Sequence, residues 1–367
     1  MRHRVAVIGG GIFGACAALE LSRSFDVTLF ERRPELFQGA TYANHNRHHY
    51  GYHYPRSPET ALQCLESRAS FENLYGDCLD WDFDNYYCVA ADDSKTTPEQ
   101  YLSFCRKVGL PFEEVKPPKD LLDPSKIALC LKAREGVYDI AKLRLIVSAR
   151  LKAASNLRVL TGREIVAGSV DGAGRKILTV VDGGARSDHA FDFVVNATYG
   201  NINRFCGWFG FPERECQFNL QELDVIELPL ERRAGVTVQD GPFPSFIPMA
   251  NTNRYLMAHV VESQLIREIS AGRTPLLQRV AYIESNWSGV LKACAEFIPL
   301  LRRAVYVKSI FVDRVVDSAR LGDDSRVTEI VEHGSGCWSV FSAKVITCVT
   351  TAHKLHLALK SAAGLPA

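Results

Sequence analysis

Three features of this 367-residue chain predict a mixed α/β fold built from two domains. A β-branched run leads directly into a glycine-rich turn and a helix. A second strand pattern then ends in an acid about 20 residues beyond the glycines. A series of short strand patterns separated by turns fills the region from about 220 to 260. Together they predict a Rossmann-type nucleotide-binding domain joined to a second domain with an antiparallel sheet.

The first element is Val5-Ala6-Val7-Ile8, the pattern of a buried parallel strand. Gly9-x-Gly11-x-x-Gly14 follows at once, and Ala15 to Leu21 reads as a helix whose Ala17 and Ala18 permit close packing. Asp26-Val27-Thr28-Leu29-Phe30 is a second strand, ending at Glu31. In this arrangement Gly9 permits the tight turn, Gly11 lets a pyrophosphate approach the backbone, and Gly14 lets helix and strand touch. The helix start supplies free N–H groups and partial positive charge for phosphates. Glu31 lies where a carboxylate accepts hydrogen bonds from a ribose. The motif alone fits FAD or NAD, and Arg32 and Arg33 leave room for a 2′-phosphate.

Composition narrows the classes. The net charge of +1 gives no reason to expect nucleic acid or an anionic membrane as partner. Eleven cysteines are scattered from Cys16 to Cys348 without a C-x-x-C pair, which suits reduced thiols and a cytoplasmic protein. No apolar run approaches the roughly 18–20 residues that span a bilayer, so no integral membrane segment is expected. Arg2 and Arg4 before an apolar stretch imitate a signal peptide, but Gly9-Gly10-Gly11 and Glu20 break the pattern.

Residues 5–31 resemble the opening of the D-amino-acid oxidase superfamily, which includes glycine oxidase, sarcosine oxidase and L-2-hydroxyglutarate oxidase. Three later segments fall in the order this resemblance implies. The stretch from Gly39 to Ser57 corresponds to the one that wraps the flavin. Its Asn44, His49, Gly51, Tyr54, Pro55 and Ser57 look most like the hydroxyglutarate oxidase branch, whereas Arg47 stands where an apolar side chain is usual. The second segment runs from Glu164-Ile165-Val166 through a hairpin at 172–174 to Phe193-Val194-Val195-Asn196-Ala197-Thr198, where Tyr199 interrupts the family's turn. In the third, Gly334–Trp338 precedes Ser342-Ala343-Lys344 and a helix to about Ser361, with Lys344-Val345 replacing the usual Gly-Ile. A helix N-terminus here would favour the negative charge that gathers on reduced flavin.

The resemblance implies FAD as cofactor, contacted by Gly9, Gly11, Gly14, Glu31, Arg32, Asn44, Val166, Ala197, Thr198, Ala343 and Lys344. It also implies a discontinuous layout. Residues 1–62, 136–206 and 308–367 are expected to form the FAD-binding domain, and 63–135 with 207–307 the substrate domain. Within the latter, strands are expected at Leu223–Leu228, Gly235–Gln239, Ser245–Pro248 and Tyr255–Val260. Helices are expected at Thr60–Tyr75, Pro98–Val108 and Leu276–Phe297.

His45, His48, His49 and His53 form the densest histidine group. Gly51 and Pro55 oppose a helix there, and no carboxylate or thiol in the segment completes a ligand set, so no metal is expected. His49 is the candidate for a flavin-facing catalytic role. Arg47, Arg56 and Arg254 are candidates for holding a substrate anion, since a guanidinium matches a carboxylate in two contacts. Tyr54 and His259 are weaker candidates for the pocket wall, along with Tyr50, Tyr52 and Tyr255. The expected activity is oxidation of a small, anionic amine or amino acid by hydride transfer to flavin N5, with oxygen or a carrier as electron acceptor. A hydroxy-acid oxidoreductase and a non-catalytic flavin-binding subunit are the alternatives.

Overall fold

The computed structural model describes residues 2–322 and 324–366. A six-stranded sheet forms the first layer. Its central strand β1 (Arg4–Ile8) lies parallel between β2 (Asp26–Glu31) and Phe193–Asn196. Leu157–Thr161 extends it beyond β2, Cys337–Phe341 beyond Phe193–Asn196, and Glu329–Gly334 closes that edge as the antiparallel arm of a hairpin. Val5, Ala6 and Val7 are wholly buried, as a strand covered on both faces requires.

Helix α1 (Ile12–Leu21) packs on this sheet beside Ile140–Ala153 and the C-terminal helix Cys348–Ala362. They share a core with Phe25, Leu29, Val147, Val195, Trp338 and Leu355. Helix α2 (Pro58–Tyr75) contributes Cys64, Phe71 and Tyr75 to the same core. The domain boundary expected at 62 therefore falls too early. Thr60–Tyr75 does form a helix as expected, but it belongs to the first layer.

A nine-stranded sheet makes the second layer. Its longest members are Cys216–Glu227 and Val305–Asp317, paired antiparallel along their whole length. On its other edge, Cys216–Glu227 meets Gln264–Ser270 with its first half and Arg254–His259 with its second. Pro244–Pro248, Ala234–Gln239, Asp84–Ala90, Ile127–Ala133 and Phe112–Glu114 continue the order. All pairs are antiparallel except Ala234–Gln239 with Asp84–Ala90. Val305–Asp317 lies in this sheet, so residues 308–317, expected with the first layer, belong to the second.

The four strands expected between 223 and 260 are present, the first as half of a longer one. Pro98–Val108 is a helix closed by a capping box from Thr97 and Gln100. The helix expected over Leu276–Phe297 is not continuous. Leu276–Gln278 is a single 3-10 turn, and only Trp287–Phe297 is α-helical. Between them the chain is tied to the sheet, with Asn286 N and Ser285 Oγ donating to the buried Glu222 carboxylate. Satisfying that carboxylate competes with helical hydrogen bonds.

Candidate active site

A cavity of about 790 Å³ runs between the two layers. One end is made mainly of backbone. Gly9 adopts φ +106°, and a Cβ on it would lie 2.7 Å from the Ala197 carbonyl oxygen. A Cβ on Gly14 would lie 1.8 Å from the oxygen of Gly9, so Gly14 is fixed by helix–strand contact rather than by lining the cavity. Glu31 ends β2 at the cavity wall. Its Oε2 accepts from Gly10 N at 2.7 Å and its Oε1 from Arg33 N at 2.8 Å, which orients the carboxylate and leaves it further lone pairs. Arg32 reaches across to Gln278 Oε1 at 2.9 Å.

Ala197, Thr198, Ala343 and Asn44 also line the cavity. The Asn44 amide is already engaged, donating to Ala40 O and Thr41 O and accepting from Asn46 N and Tyr138 OH. Asn44 thus braces the loop with its side chain. Glu164 and Ile165 form the wall where Val166 was expected, and Val166 itself does not line the cavity. Tyr199, which interrupts the expected turn, takes a left-handed φ of +54°. Its hydroxyl donates to Val315 O and accepts from Val315 N, stitching the turn to the long strand of the second sheet.

The other end is made of side chains, and most of them are basic. Asn46–His48 pairs with Gly136–Tyr138 through His48 N to Gly136 O and Tyr138 N to Asn46 O. This pairing fixes Arg47 and His49 beside the second sheet. Arg47 is buried, donating to Tyr87 OH at 2.9 Å and to Ser245 Oγ at 2.5 Å. Glu135 Oε1 lies 3.7 Å from its guanidinium. His49 Nδ1 lies 3.8 Å from Glu135 Oε2, beyond hydrogen-bond reach, and has no hydrogen-bond partner among the described residues. His45 Nδ1 accepts from Arg314 at 3.3 Å, and His45 Nε2 and His53 Nδ1 are buried without hydrogen-bond partners among the described residues.

Burial, reinforced by neighbouring cations, holds His45, His49 and His53 well below the ordinary imidazole range, so all three are neutral at pH 7. Lys344 is buried with its ammonium 4.3 Å from the Tyr54 ring centre. Burial, and secondarily the charge of Arg47, lowers it to about 7.

Arg254 does not join this group. It opens its strand opposite Glu227, bonds to that residue at 3.0 Å, and is about half exposed at the sheet's far end. Arg56 is absent from the cavity wall and bonded to Asp240 at 2.8 Å. Tyr54 and His259 line the cavity, the latter with Nδ1 accepting from Val261 N and Glu262 N. Tyr50, Tyr52 and Tyr255 are core residues.

Sequence reasoning missed Glu135, Arg314, Tyr87 and Ser245. Only Arg314 left a trace, as half of the charged pair Asp313-Arg314 set between Phe311-Val312 and Val315-Val316. Among the described residues, no three His, Cys, Asp or Glu side chains gather as a metal-ligand set, and no helix is long and apolar enough to cross a membrane.

A glycine turn with no room for a Cβ at Gly9 or Gly14, set beside an oriented carboxylate, fits a dinucleotide. The comparisons with known proteins agree. Residues 4–313 match the family model described as FAD dependent oxidoreductase. The chain belongs to this family, and FAD is its cofactor. Among curated relatives, FAD-dependent monooxygenase FPY4 of Fusarium mangiferae is 29% identical over 264 residues, covering 72% of this chain and 65% of that protein. FAD-dependent monooxygenase kojA of Aspergillus flavus is 25% identical over 278 residues, covering 70% and 61%. The chain thus spans less than two thirds of the length of these relatives. Glycine oxidase from Geobacillus kaustophilus superposes with a TM-score of 0.74 at 17% identity, covering 100% of this chain and 96% of that one. FAD-bound L-alpha-glycerophosphate oxidase from Mycoplasma pneumoniae gives 0.77 at 14% identity, covering 98% and 94%. Likeness at these identities establishes the shared fold.

Proposed function

We propose that the chain oxidises a small anionic amine or amino acid, with FAD held at the backbone end of the cavity and the substrate anion at the basic end. When bound, FAD supplies the hydride acceptor. Gly9, Gly11 and the start of α1 suit its pyrophosphate, Glu31 its ribose, and the Glu164–Ile165 wall its adenine. The segments holding Tyr42–Tyr54 and Ser342–Val345 line the same cavity and would flank the flavin ring.

The observation that carries this reading is the charge of the side-chain end. Arg47, Arg314 and Lys344 line one cavity, and among the described residues neither Arg314 nor Lys344 has a carboxylate partner within ion-pair distance. Cations confined in a low-dielectric space attract an anion far more strongly than they would in water. Arg47 has used two of its five N–H donors, so it retains donors for a carboxylate. The same charge opposes an ammonium group and favours the neutral amine, the form able to release hydride from its neighbouring carbon. His49, neutral and on the cavity wall, would accept a proton.

Anaerobic mixing of the FAD-loaded protein with amino acids, their methyl esters, simple amines and hydroxy acids tests the reading. Bleaching of the flavin by a carboxylate-bearing amine but not by its ester is expected; equal bleaching by both contradicts it. A hydroxy acid that bleaches faster than the matching amino acid would move the substrate class. The curated relatives' names favour a second reading, monooxygenation. Incorporation of labelled oxygen from O₂ into the product supports that reading, and unlabelled product with hydrogen peroxide supports oxidation alone.

A further inference from the structure

We propose that Glu135 is a positioning residue for the anion-binding end of the cavity, aligning Arg47 and setting the charge that Arg47 presents. The inference rests on the reading that this end takes an anion.

Glu135 is completely buried and follows Ala133-Arg134 at the end of a strand of the second sheet. Its Oε2 accepts from Tyr50 N at 2.9 Å, and its Oε1 accepts from Tyr87 OH at 2.5 Å. The same Tyr87 hydroxyl accepts from Arg47 Nη1 at 2.9 Å. Guanidinium, phenol and carboxylate therefore form a chain, with a second, direct approach of Arg47 to Glu135 at 3.7 Å. His49 closes the group at 3.8 Å. The bridge between Arg47 and Val137 makes these distances a consequence of backbone pairing.

This geometry does two things. Tyr87 and Ser245 hold Arg47 from two sides, so its plane is fixed before an anion arrives, and preorganisation of this kind lowers the cost of binding. The carboxylate also partly cancels the charge of Arg47. That matters for Lys344, whose charged and titratable neighbours are Arg47, His45, His49, His53 and Tyr54. Around Glu135 itself stand Arg47, His49, Tyr52, Tyr87, Tyr101 and Cys64. Removing the carboxylate charge would leave the charge of Arg47 uncompensated and make Lys344 give up its proton at lower pH.

The test uses the FAD-loaded protein with acetate as probe, following the flavin absorbance perturbation across pH. In the wild type, affinity for acetate should fall as pH rises through about 7, where Lys344 loses its charge. Glu135→Gln keeps an acceptor for Tyr50 N and Tyr87, yet should move this midpoint down by roughly one pH unit. Glu135→Asp, which keeps the charge, should restore the midpoint, and Lys344→Met should abolish the step. Tyr87→Phe breaks the chain but spares the charge, so it should weaken acetate roughly ten-fold with the midpoint unchanged. The Tyr87 variant decides the matter if Glu135→Gln does not fold. An unshifted midpoint in Glu135→Gln, or undiminished affinity in Tyr87→Phe, overturns the inference. A wild-type protein that ignores acetate at every pH instead overturns the anion site itself.

Discussion

The two ends of the cavity are built by different means. The nucleotide end is made of backbone: a turn that admits only glycine, a helix start, and one carboxylate held by amide N–H groups. Its parts lie within residues 9–33, so local sequence encodes most of it. The other end is made of side chains brought together from positions 47, 87, 135, 245, 314 and 344. No local pattern encodes that meeting; sheet register does. The first end can bind a cofactor common to many proteins, while the second carries what is particular to this one.

The comparison can be broken most sharply at Gly14. A methyl group there would lie 1.8 Å from the oxygen of Gly9, and a helix packed on a sheet has no slack to receive it. Gly14→Ala should abolish FAD retention or folding, read as loss of the flavin spectrum. Replacing Arg47 by Lys keeps the charge and loses the planar contacts to Tyr87 and Ser245. We expect KM for the substrate to rise roughly 10- to 100-fold with FAD retention unchanged, because a charge-assisted interaction contributes about 1.5–3 kcal/mol. Glu31→Gln should weaken FAD by a similar factor in a cofactor titration and leave KM alone. If either variant disturbs both ends equally, the division between them fails.

Two smaller effects sharpen the picture. Asp224 lies in the second sheet, where burial, and secondarily the neighbouring Glu222, raises its carboxyl to about 7. The unfolded chain releases this proton near 3.8, whereas the folded protein keeps it to about 7. Its contribution to stability is therefore complete below the lower value and is lost as pH rises to the upper one. Asp224→Asn should raise the melting temperature by a few degrees at pH 8 and change it little at pH 4, with no effect on acetate binding. Arg254→Ala should alter neither KM nor stability by more than about 0.5 kcal/mol, as befits an exposed ion pair with Glu227.

These contrasts explain what was legible in the sequence. The strand, glycines, helix and Glu31 could be read because each has a stereochemical reason at a fixed spacing. Arg47 and His49 could be placed because they follow soon after in the chain. Arg254 was misplaced because its strand was read correctly while its position at the strand's solvent end was not visible. Val166 lies one residue past the pair that reaches the cavity, Glu164 and Ile165, and an offset of one residue is not visible in sequence. Glu135 had no signature: a single acid before Gly136 gains its meaning only when 136–138 pairs with 46–48. The helix from Leu276 broke because a buried carboxylate more than fifty residues earlier takes its N–H group at Asn286.

The most direct test of the central claim is the rate of anaerobic flavin reduction by an amino acid and by its methyl ester, compared in wild type and Arg47→Lys. The account predicts rapid bleaching by the amino acid, little by the ester, and a preference that shrinks in the variant. An ester as effective as the acid in the wild type would show that the basic end of the cavity does not bind the substrate as an anion.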